Sequence, residues 1–500
     1  MGKASLCVAW ILVLSIGIQA GIEQAPIETG PDRNPSPLRV DFRRIGTLRP
    51  RSSREINASP FMIDCSTMDR DMVDFEEVKD YLEPLGAKEI RLQAGWAKTE
   101  KVRGTFDFAW LDRIVDWALA RDIAIYMETS YGNPIYPGAG GMHLSAGIPN
   151  SEEGLAAWDR WIEALATHFK GRVWDWAMWN EPDNGWPYRN PASRIGEFNV
   201  RTARIIKRII PGARLNGLSL ANHEPSQTTY WQHVDALGKD VDLFDTLVTH
   251  LYSPNPDWDY PNIIVPRKAM LAKYAPKSVL RQGESGAPSD WLEELGLRKH
   301  AWSESTQAKW DMRRMIGDVA HGHLSCVFQL CDMVYNDEKY HRINRKGLLR
   351  ANWKHQVIQV KKAFYAVQNV LSVFDDTVKT NGAEALETLD RTISSYGFLK
   401  DGKWPILAFW QHGDLIHVDG ELQLDKSAYP TESFETRDVA FDWKGCALED
   451  PVWIDLFTGA AYEFPARYQI RHSDGVTFVR VPTYDSPCLL TERAAILLDK

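Results

Sequence analysis

Short apolar runs alternate with segments of helical period from about residue 56 to residue 370. This alternation predicts repeated β-α units. Eight runs have the length and apolar content of buried strands, at residues 61–64, 88–93, 123–130, 173–179, 214–220, 244–250, 278–282 and 324–330. Eight units in succession favour a (β/α)8 barrel over residues 56–370, whereas an open doubly wound sheet normally uses fewer.

The segments between these runs repeat apolar residues at steps of three and four, as amphipathic helices do. One series ends at Gly171, a residue suited to a helix C-terminus, and contains Trp158, Trp161, Ile162, Leu165 and Phe169. A second series, residues 111–118, precedes the third strand, and a third, residues 194–210, is stopped by Pro211 and Gly212. The predicted helices therefore fall where a barrel needs them.

The helical period disappears near residue 371. The remaining apolar runs are separated by Gly, Asp and Pro turns and lie at residues 406–410, 415–418, 452–455 and 476–479. Residues 371–500 are therefore predicted to form an all-β domain of sandwich type. Before the barrel, residues 21–55 carry four prolines ahead of residue 38 and are predicted to be a linker.

Residues 1–20 have the pattern of a secretory signal peptide. Lys3 gives a positive start, residues 4–18 are apolar, and the small residues Ala20 and Gly21 follow. The apolar run is short for a membrane span, so a cleaved signal is favoured over an uncleaved N-terminal anchor. The mature chain is expected to be secreted or periplasmic, with no membrane contact after cleavage.

The charge balance argues against one class of partner. The chain has 58 basic and 67 acidic residues, and its formal net charge is −9. Nucleic-acid affinity depends on Lys and Arg at the phosphates, so no nucleic-acid partner is expected. Twenty tryptophans in 500 residues are a clear excess. Either a large aromatic core or a sugar-binding cleft with aromatic walls would explain this excess.

The cysteines are too sparse for a disulfide scaffold. Five remain once Cys7 leaves with the signal, so at least one is unpaired. Buried free thiols are favoured, with a bridge between Cys446 and Cys488 as the alternative. The sequence has no C-x-x-C pair, which argues against a structural zinc site.

Two glutamates are predicted to lie at the mouth of the barrel. The active site of a (β/α)8 barrel is at the C-terminal ends of its strands. The fourth strand runs into Asn180 and Glu181, and the seventh runs into Gly283 and Glu284. Three units separate these strands, so the two glutamates face each other. Glycoside cleavage requires such a pair, one to protonate the leaving oxygen and one to attack the sugar carbon.

The motif at residues 179–182, Trp-Asn-Glu-Pro, resembles the acid/base signature of glycoside hydrolases that have a (β/α)8 barrel and catalytic glutamates on strands four and seven. With a later strand-ending glutamate and an all-β tail, the chain most resembles family 39, which includes β-xylosidases and α-iduronidases. The resemblance spans the barrel. It implies that Glu181 is the general acid/base and Glu284 is the nucleophile.

The resemblance also implies binding roles. Asn180 would hold the sugar hydroxyl next to the reacting carbon, and Arg91 would lie near the nucleophile. His250 and Tyr252, at the end of the sixth strand, would contact the nucleophile or the sugar. An oligosaccharide or polysaccharide is the implied substrate.

Further candidates come from strand position. Gln93 shares its strand face with the arginine at position 91 and is predicted to line the site. Tyr131 and Asn133 leave the third strand and are predicted to shape a subsite. Three tryptophans are candidate platforms for a sugar ring, with core positions as the alternative: Trp96, Trp186 and Trp353.

Three other patterns are weaker. Glu128 ends the third strand and competes with Glu284, but it lacks a facing carboxylate. His321 and His323 have no third ligand, so a surface or helix-end position is favoured over a metal site. Residues 138–141 are glycine-rich without the Lys-Ser/Thr of a nucleotide loop, and are predicted to be a flexible loop over the cleft. No metal and no cofactor is expected.

The sequence therefore predicts a retaining glycosidase that acts by double displacement, with Glu284 ionised and Glu181 protonated before attack. Two alternatives use the same residues or scaffold. One is a sugar-binding protein without catalysis. The other is a transglycosylase, in which a sugar instead of water resolves the intermediate.

Overall fold

Within the described residues, the first strand is β1 (Arg44–Leu48), which precedes the barrel. In this computed structural model the described residues are 24–29, 33–144, 147–184, 190–221, 227–336, 341–381, 386–387, 390–413, 415 and 434–499. The predicted signal peptide, residues 1–20, lies outside them, as does Trp186.

The eight apolar runs form a parallel barrel. Its strands are β2 Phe61–Asp64, β3 Glu89–Gln93, β4 Ala124–Glu128, β5 Asp175–Ala177, β6 Arg214–Leu220, β7 Thr246–Thr249, β8 Val279–Gln282 and β9 Ser325–Val327. Each strand pairs in parallel with the next, and β9 pairs with β2. Parallel bridges from Arg281 to Leu324 and from Ser285 to Val327 close the ring between β8 and β9. The predicted (β/α)8 barrel is confirmed.

Helices connect the strands around the barrel. Their bounds are α1 Phe75–Val78, α2 Leu82–Leu85, α3 Trp96–Thr99, α4 Ala109–Leu119, α5 Glu152–Phe169, α6 Ala192–Ile209, α7 Gln227–Asp235, α8 Pro256–Asp259, α9 Val265–Tyr274, α10 Glu304–Ala320 and α11 Lys362–Val373. The Ser151 hydroxyl caps α5 by accepting a hydrogen bond from Gly154 N. The apolar stripe of α5 buries Trp158 and Trp161 completely, as its helical period predicted.

Two hairpins follow the last barrel strand and lie at the mouth of the barrel. The first pairs β10 Met333–Asn336 with β11 His341–Asn344, and the second pairs β12 Leu349–Ala351 with β13 Val357–Val360. The segment from Met333 to Lys346 supplies several cavity-lining side chains.

The C-terminal residues form two antiparallel sheets. Their strands are β14 Val378–Thr380, β15 Leu386–Glu387, β16 Ile393–Lys400, β17 Trp404–Gln411, β18 Arg437–Lys444, β19 Pro451–Asp455, β20 Ala460–Glu463, β21 Gln469–His472, β22 Gly475–Thr483, β23 Cys488–Glu492 and β24 Leu498–Asp499. The larger sheet has the order β14-β16-β17-β23-β19-β20-β1-β24, and the smaller has the order β15-β18-β22-β21. Phe409 and Trp453 of the larger sheet share one apolar core with Phe441 and Phe478 of the smaller. The predicted sandwich is confirmed.

At residues 44–48 the structure differs from the linker predicted over residues 21–55. β1 belongs to the larger sheet, where Thr47 lies opposite both Ala460 and Asp499. The prolines before residue 38 exclude a helix there but place no limit on an extended strand further along. The pairing partners stand at the far end of the chain, where no local pattern can indicate them.

Helix α10 joins the two domains. The guanidinium of Arg313 donates to the backbone oxygens of Gln411 and Gly413, each at 2.8 Å, and to that of Asp485 at 2.9 Å. Lys309 Nζ lies 2.7 Å from the Asp485 carboxylate. The C-terminal domain therefore packs on the barrel through buried, charge-assisted hydrogen bonds.

The five cysteines within the described residues are free and buried, as favoured from the sequence, and Cys446 forms no bridge with Cys488. No helix within the described residues is both long enough and apolar enough to cross a membrane.

Candidate active site

A cavity of about 750 Å³ opens at the C-terminal ends of the barrel strands. Six of the side chains proposed from the sequence line it: Gln93, Tyr131, Asn180, Glu181, Tyr252 and Glu284. Arg91 and His250 lie directly behind this wall and are fully buried. The structure therefore brings these eight predicted residues together at one end of the barrel.

Arg91, in the middle of β3, organises the floor of the cavity. One guanidinium nitrogen donates to Asp64 at 2.5 Å and to Glu284 at 2.9 Å. The other donates to Glu128 at 2.8 Å and to Asn180 at 2.5 Å. Burial alone would lower the pKa of Arg91, but the three carboxylates raise it well above its ordinary value. Arg91 is therefore permanently charged and fixes the positions of the groups around it.

Glu181 follows the fourth barrel strand, β5, in an uncommon backbone conformation. Its φ is 47°, which lies in the left-handed region that non-glycine residues rarely adopt. Its amide donates to Ser219 O at 2.9 Å, and its carboxylate accepts from Asn184 Nδ2 at 3.0 Å. The residue is 8% exposed. Left-handed non-glycine residues are concentrated at functional sites, where the surrounding contacts hold them.

Glu284 follows the seventh barrel strand, β8, and receives two charge-stabilising hydrogen bonds. The Tyr252 hydroxyl donates to its Oε1 at 2.7 Å, and Arg91 donates to its Oε2 at 2.9 Å. The flanking glycines allow this close packing. A Cβ at Gly283 would lie 2.3 Å from Val248 Cγ1, and one at Gly286 would lie 1.7 Å from Phe328 O.

His250 lies between the two glutamates. Its Nδ1 is 3.0 Å from Oε1 of Glu181 and 3.7 Å from Oε2 of Glu284. Burial lowers the pKa of His250, but the two carboxylates outweigh burial and raise this pKa above its ordinary value. For Glu284, burial and the Glu181 charge raise the pKa against the opposing effects of His250 and Arg91. The charges of His250 and Glu284 therefore act on each other's pKa.

The same three side chains have the dimensions of a small cation site. One ligand atom from each of Glu181, His250 and Glu284 lies within 4.8 Å of the other two. Arg91 already donates to Glu284, however, and His250 Nδ1 already hydrogen-bonds Glu181. Because cationic groups occupy the positions that a metal would neutralise, we interpret the cluster as a hydrogen-bonded acid pair. The other histidines considered for a metal do not form a site: His321 caps the end of α10 and stacks on Tyr260.

Several sequence candidates lie away from the cavity. Trp96 is fully buried, and its indole donates to Glu100 at 2.5 Å, so it is a core residue and not a sugar platform. The Asn133 amide donates to Glu100 O at 2.8 Å and holds its own loop. Trp353 is exposed, stacks on His341 and is not among the described lining residues. These three predictions were wrong because position after a strand does not determine which way a side chain points.

The tryptophan excess serves mainly the core. Trp96, Trp158, Trp161 and Trp179 form one buried stack of rings with centroids 5.0–5.7 Å apart. Trp258, half exposed at the cavity entrance, is the tryptophan found among the described lining residues. The aromatic-core explanation of the composition is therefore confirmed for these residues, and the aromatic cleft is not.

The flexible loop expected at residues 138–141 needs correction. These residues form a packed loop, because Ala139 is fully buried and Gly132 N donates to Gly141 O at 2.8 Å. Glu128, the competitor of Glu284, accepts hydrogen bonds from Arg91 and Gln93 and supports the floor of the site.

The structure also adds residues that the sequence did not indicate. Asp64 ends β2 and bonds Arg91, a position that the strand-end argument could have singled out. Lys346 and Arg342 come from the segment after the last barrel strand, and Arg298 comes from the loop after Glu284. Lys346 and Arg298 lie in irregular segments with no periodic signal, and Arg342 lies in the short strand β11.

Neither a protein-family model nor a curated protein sequence matches this chain. Solved structures share its fold. A family 39 glycoside hydrolase from Bacteroides cellulosilyticus has a TM-score of 0.62 at 17% identity, over 89% of this chain and 83% of its own. A monomeric β-xylosidase from Caulobacter crescentus has a TM-score of 0.56 at 16% identity, over 90% and 97%.

A family 30 subfamily 8 xylanase from Clostridium acetobutylicum is also similar, with a TM-score of 0.53 at 12% identity over 91% of this chain and 98% of its own. At these identities the likeness establishes the fold. The resemblance to family 39 inferred from the motif at residues 179–182 is thus matched by the whole barrel and the C-terminal domain.

Proposed function

We propose that this chain is a retaining glycoside hydrolase of the family 39 type. The observation that carries the proposal is the spacing of Glu181 and Glu284, whose carboxylate oxygens approach within 4.8 Å across the mouth of the barrel. Retaining enzymes hold their carboxyl groups about 5–5.5 Å apart, whereas inverting enzymes leave about 6.5–9.5 Å for a water molecule. The similar folds of family 39 and family 30 enzymes support the same assignment.

In the first step Glu284 attacks the anomeric carbon while Glu181 gives its proton to the leaving oxygen. Arg91 and Tyr252 donate to the attacking carboxylate and orient it. The product of this step is a glycosyl ester of Glu284, which carries no charge. Glu181 then no longer faces a negative neighbour, which favours its ionised form, and it takes a proton from the water that releases the sugar.

Binding is assigned to the groups on the cavity floor. Asn180 is held by Arg91 and donates from its amide to the Tyr131 hydroxyl at 2.5 Å, so its orientation is fixed before substrate enters. Gln93 donates to Glu128 at 3.0 Å and accepts from the Arg70 guanidinium, so both ends of its amide are fixed at the cavity wall. Preorganised polar groups of this kind stabilise a transition state without reorganising.

The test is turnover of a panel of aryl glycosides, with the anomeric form of the first product followed by NMR. We expect the product anomer to match the substrate and Glu284→Gln to lose several orders of magnitude in kcat while remaining folded. Glu153→Gln, a surface glutamate paired with Arg103, is the matched control. An inverted product would overturn the retaining mechanism. Sugar binding without product would favour the non-catalytic alternative, and glycoside products at high acceptor concentration would favour the transglycosylase.

We propose also that the mature chain acts outside the cytoplasm, on the strength of the signal pattern over residues 1–20. N-terminal sequencing of the protein exported by a host with a secretory pathway tests this. Recovery of the chain with Met1 in the membrane fraction would favour an uncleaved anchor instead.

A further inference from the structure

Lys346 holds a buried positive charge inside the candidate active site. The residue is 2% exposed and lines the cavity. Its Nζ lies 3.9 Å from the centroid of the Tyr252 ring, and a Cβ at Gly296 would lie 3.2 Å from it. Within the described part of the chain, no oxygen accepts a hydrogen bond from this ammonium and no carboxylate pairs with it.

Three other buried cations of this protein are paired with carboxylates. Lys361 Nζ lies 2.6 Å from Asp332, Lys309 Nζ lies 2.7 Å from Asp485, and Arg91 contacts three carboxylates. Removing a charge from water is costly unless a counter-charge and hydrogen bonds replace the water. An unpaired ammonium that faces a cavity is therefore suited to a ligand that brings the missing negative charge.

The wall around Lys346 carries more positive charge. Arg298 lines the cavity from the loop after Glu284, is exposed, and has no carboxylate partner among the described residues. Arg342 lines it from β11, pairs with Glu294, and lies 5.0 Å from the ring centroid of Tyr335. A negative ligand would meet Arg298 at the entrance and the Lys346 ammonium further inside.

Tyr252 places Lys346 beside the reacting centre. The hydroxyl of this tyrosine donates to Glu284 Oε1 at 2.7 Å, while the Lys346 ammonium lies on its ring face. The Tyr252 side chain thus contacts both the Lys346 ammonium and the Glu284 carboxylate that is proposed to attack the sugar. A group bound by Lys346 would belong to the same sugar that Glu284 attacks, not to a more distant sugar of the substrate.

We propose that Lys346, with Arg298 at the entrance, binds an anionic substituent of the sugar next to Glu284, a carboxylate or a sulfate ester. The inference rests on the proposed glycosidase function and adds its substrate class. Neutral sugars would bring no negative group into contact with the ammonium. Carboxylate and sulfate share the required chemistry, because both accept charge-assisted hydrogen bonds from an ammonium.

The protonation of Lys346 gives the subsite a pH dependence. Burial lowers the pKa of Lys346 to about 7, against the opposing effects of Glu284, Glu181 and Asp311. Tyr252, the fourth titratable group facing it, has a pKa raised well above its ordinary value by burial and by Glu284, so it stays neutral. Lys346 is therefore positively charged below about pH 7 and loses this charge as pH rises, which weakens anion binding.

The experiment measures equilibrium binding of free monosaccharides to the wild-type protein by calorimetry at pH 6 and pH 8.5. Xylose, glucose, glucuronate and glucose 6-sulfate differ only in the group on C5, and galactose, galacturonate and galactose 6-sulfate repeat the comparison in a second configuration. We expect at least one anionic member to bind about tenfold or more tightly than its neutral counterpart at pH 6, and this ratio to fall at pH 8.5. The anionic sugar that binds more tightly than its neutral counterpart shows whether Lys346 binds a carboxylate or a sulfate.

Two variants assign the effect to Lys346. Lys346→Met should remove the anionic-to-neutral ratio, and Lys346→Arg should retain part of it at both pH values. Lys403→Met is the matched control, because Lys403 also lies over an aromatic ring, that of Trp404, but in the C-terminal domain. Its ratio should equal that of the wild type.

Neutral sugars that bind as tightly as their anionic counterparts would overturn the subsite, as would the absence of binding by every anionic member. An unchanged ratio in Lys346→Met would also overturn it. Free monosaccharides are not cleaved, so binding is measured independently of turnover. Anion-selective binding without hydrolysis of any glycoside would support the subsite and contradict the proposed function. Hydrolysis of neutral glycosides alone would support the proposed function and contradict the subsite.

Discussion

The phenol of Tyr252 donates a 2.7 Å hydrogen bond to Oε1 of Glu284, the carboxylate proposed to attack the sugar. This bond stabilises the charged form of Glu284, which burial otherwise disfavours. Tyr252→Phe should therefore lower kcat/KM about 10- to 100-fold, the range for a hydrogen bond to a charged group.

The same variant should move the pH profile in a defined direction. Attack requires ionised Glu284, so activity falls as pH drops through the pKa of this group. Loss of the donor raises that pKa further, and the acidic limb of kcat/KM should shift to higher pH. Tyr230→Phe is the control, because Tyr230 is buried, is not among the described lining residues, and has a hydroxyl with no hydrogen-bond partner within the described part of the chain. If the acidic limb of kcat/KM does not shift in Tyr252→Phe, the Tyr252 hydroxyl does not affect the ionisation of Glu284.

Arg91 should contribute strongly to stability as well as to the site. It pairs with Asp64, Glu128 and Glu284, so Arg91→Met leaves three buried carboxylates close together. Breaking a buried pair from one side typically costs about 3–5 kcal/mol. We expect the free energy of unfolding in urea at pH 7 to fall by about this amount, and the loss to shrink at lower pH, where protonation relieves the repulsion.

Arg54→Met provides the comparison for Arg91. Arg54 pairs with Glu83 at 3.0 Å, but half of its side chain is exposed. Surface pairs contribute about 0–1 kcal/mol, so this variant should unfold nearly as the wild type does. Equal midpoints for Arg91→Met and Arg54→Met would show that the floor of the cavity does not depend on the guanidinium.

His250 predicts how stability varies with pH. Its carboxylate neighbours raise its pKa in the folded state above the value of about 6.5 expected in the unfolded chain. A raised pKa contributes stability that is fully present below the unfolded pKa and is lost as pH rises through the folded pKa. The difference in unfolding free energy between the wild type and His250→Gln should therefore decrease as pH rises from about 6.

The measurement for His250 is a series of urea unfolding curves across that range. His168→Gln is the control, since His168 forms a surface contact with Asp112. A difference that grows with pH would mean that neutral His250 is the stabilised form, contrary to its position between two carboxylates.

The two glutamates could be predicted from the sequence because strand period and chain position determine them together. Glu181 and Glu284 each end a strand of a recognisable repeat, and the C-terminal end of such a strand has one location in a barrel. Asp64 ends a strand in the same manner, although only its bond to Arg91 in the folded structure shows what it does.

Lys346 and Trp96 show what the sequence could not supply. Lys346 is buried because Tyr252 and Gly296, distant in sequence, pack around it, and an irregular segment carries no period that would indicate this. Trp96 follows a strand, as a cleft residue would. Its indole finds a partner inside the fold at Glu100, however, and the choice between core and cleft depends on that contact.

Trp258 should act on the part of the substrate that extends beyond the reacting sugar. It lines the cavity entrance and is 51% exposed, so its ring face is available to a sugar ring. Trp258→Ala should raise KM for an oligosaccharide about 3- to 10-fold, the effect expected from loss of one aromatic stacking contact, with little change in kcat on a short aryl glycoside. Trp353→Ala is a close control, because Trp353 is 46% exposed, stacks on His341 and is not among the described lining residues. If the two variants have equal KM values, the extended substrate does not stack on Trp258 and binds another wall of the cavity.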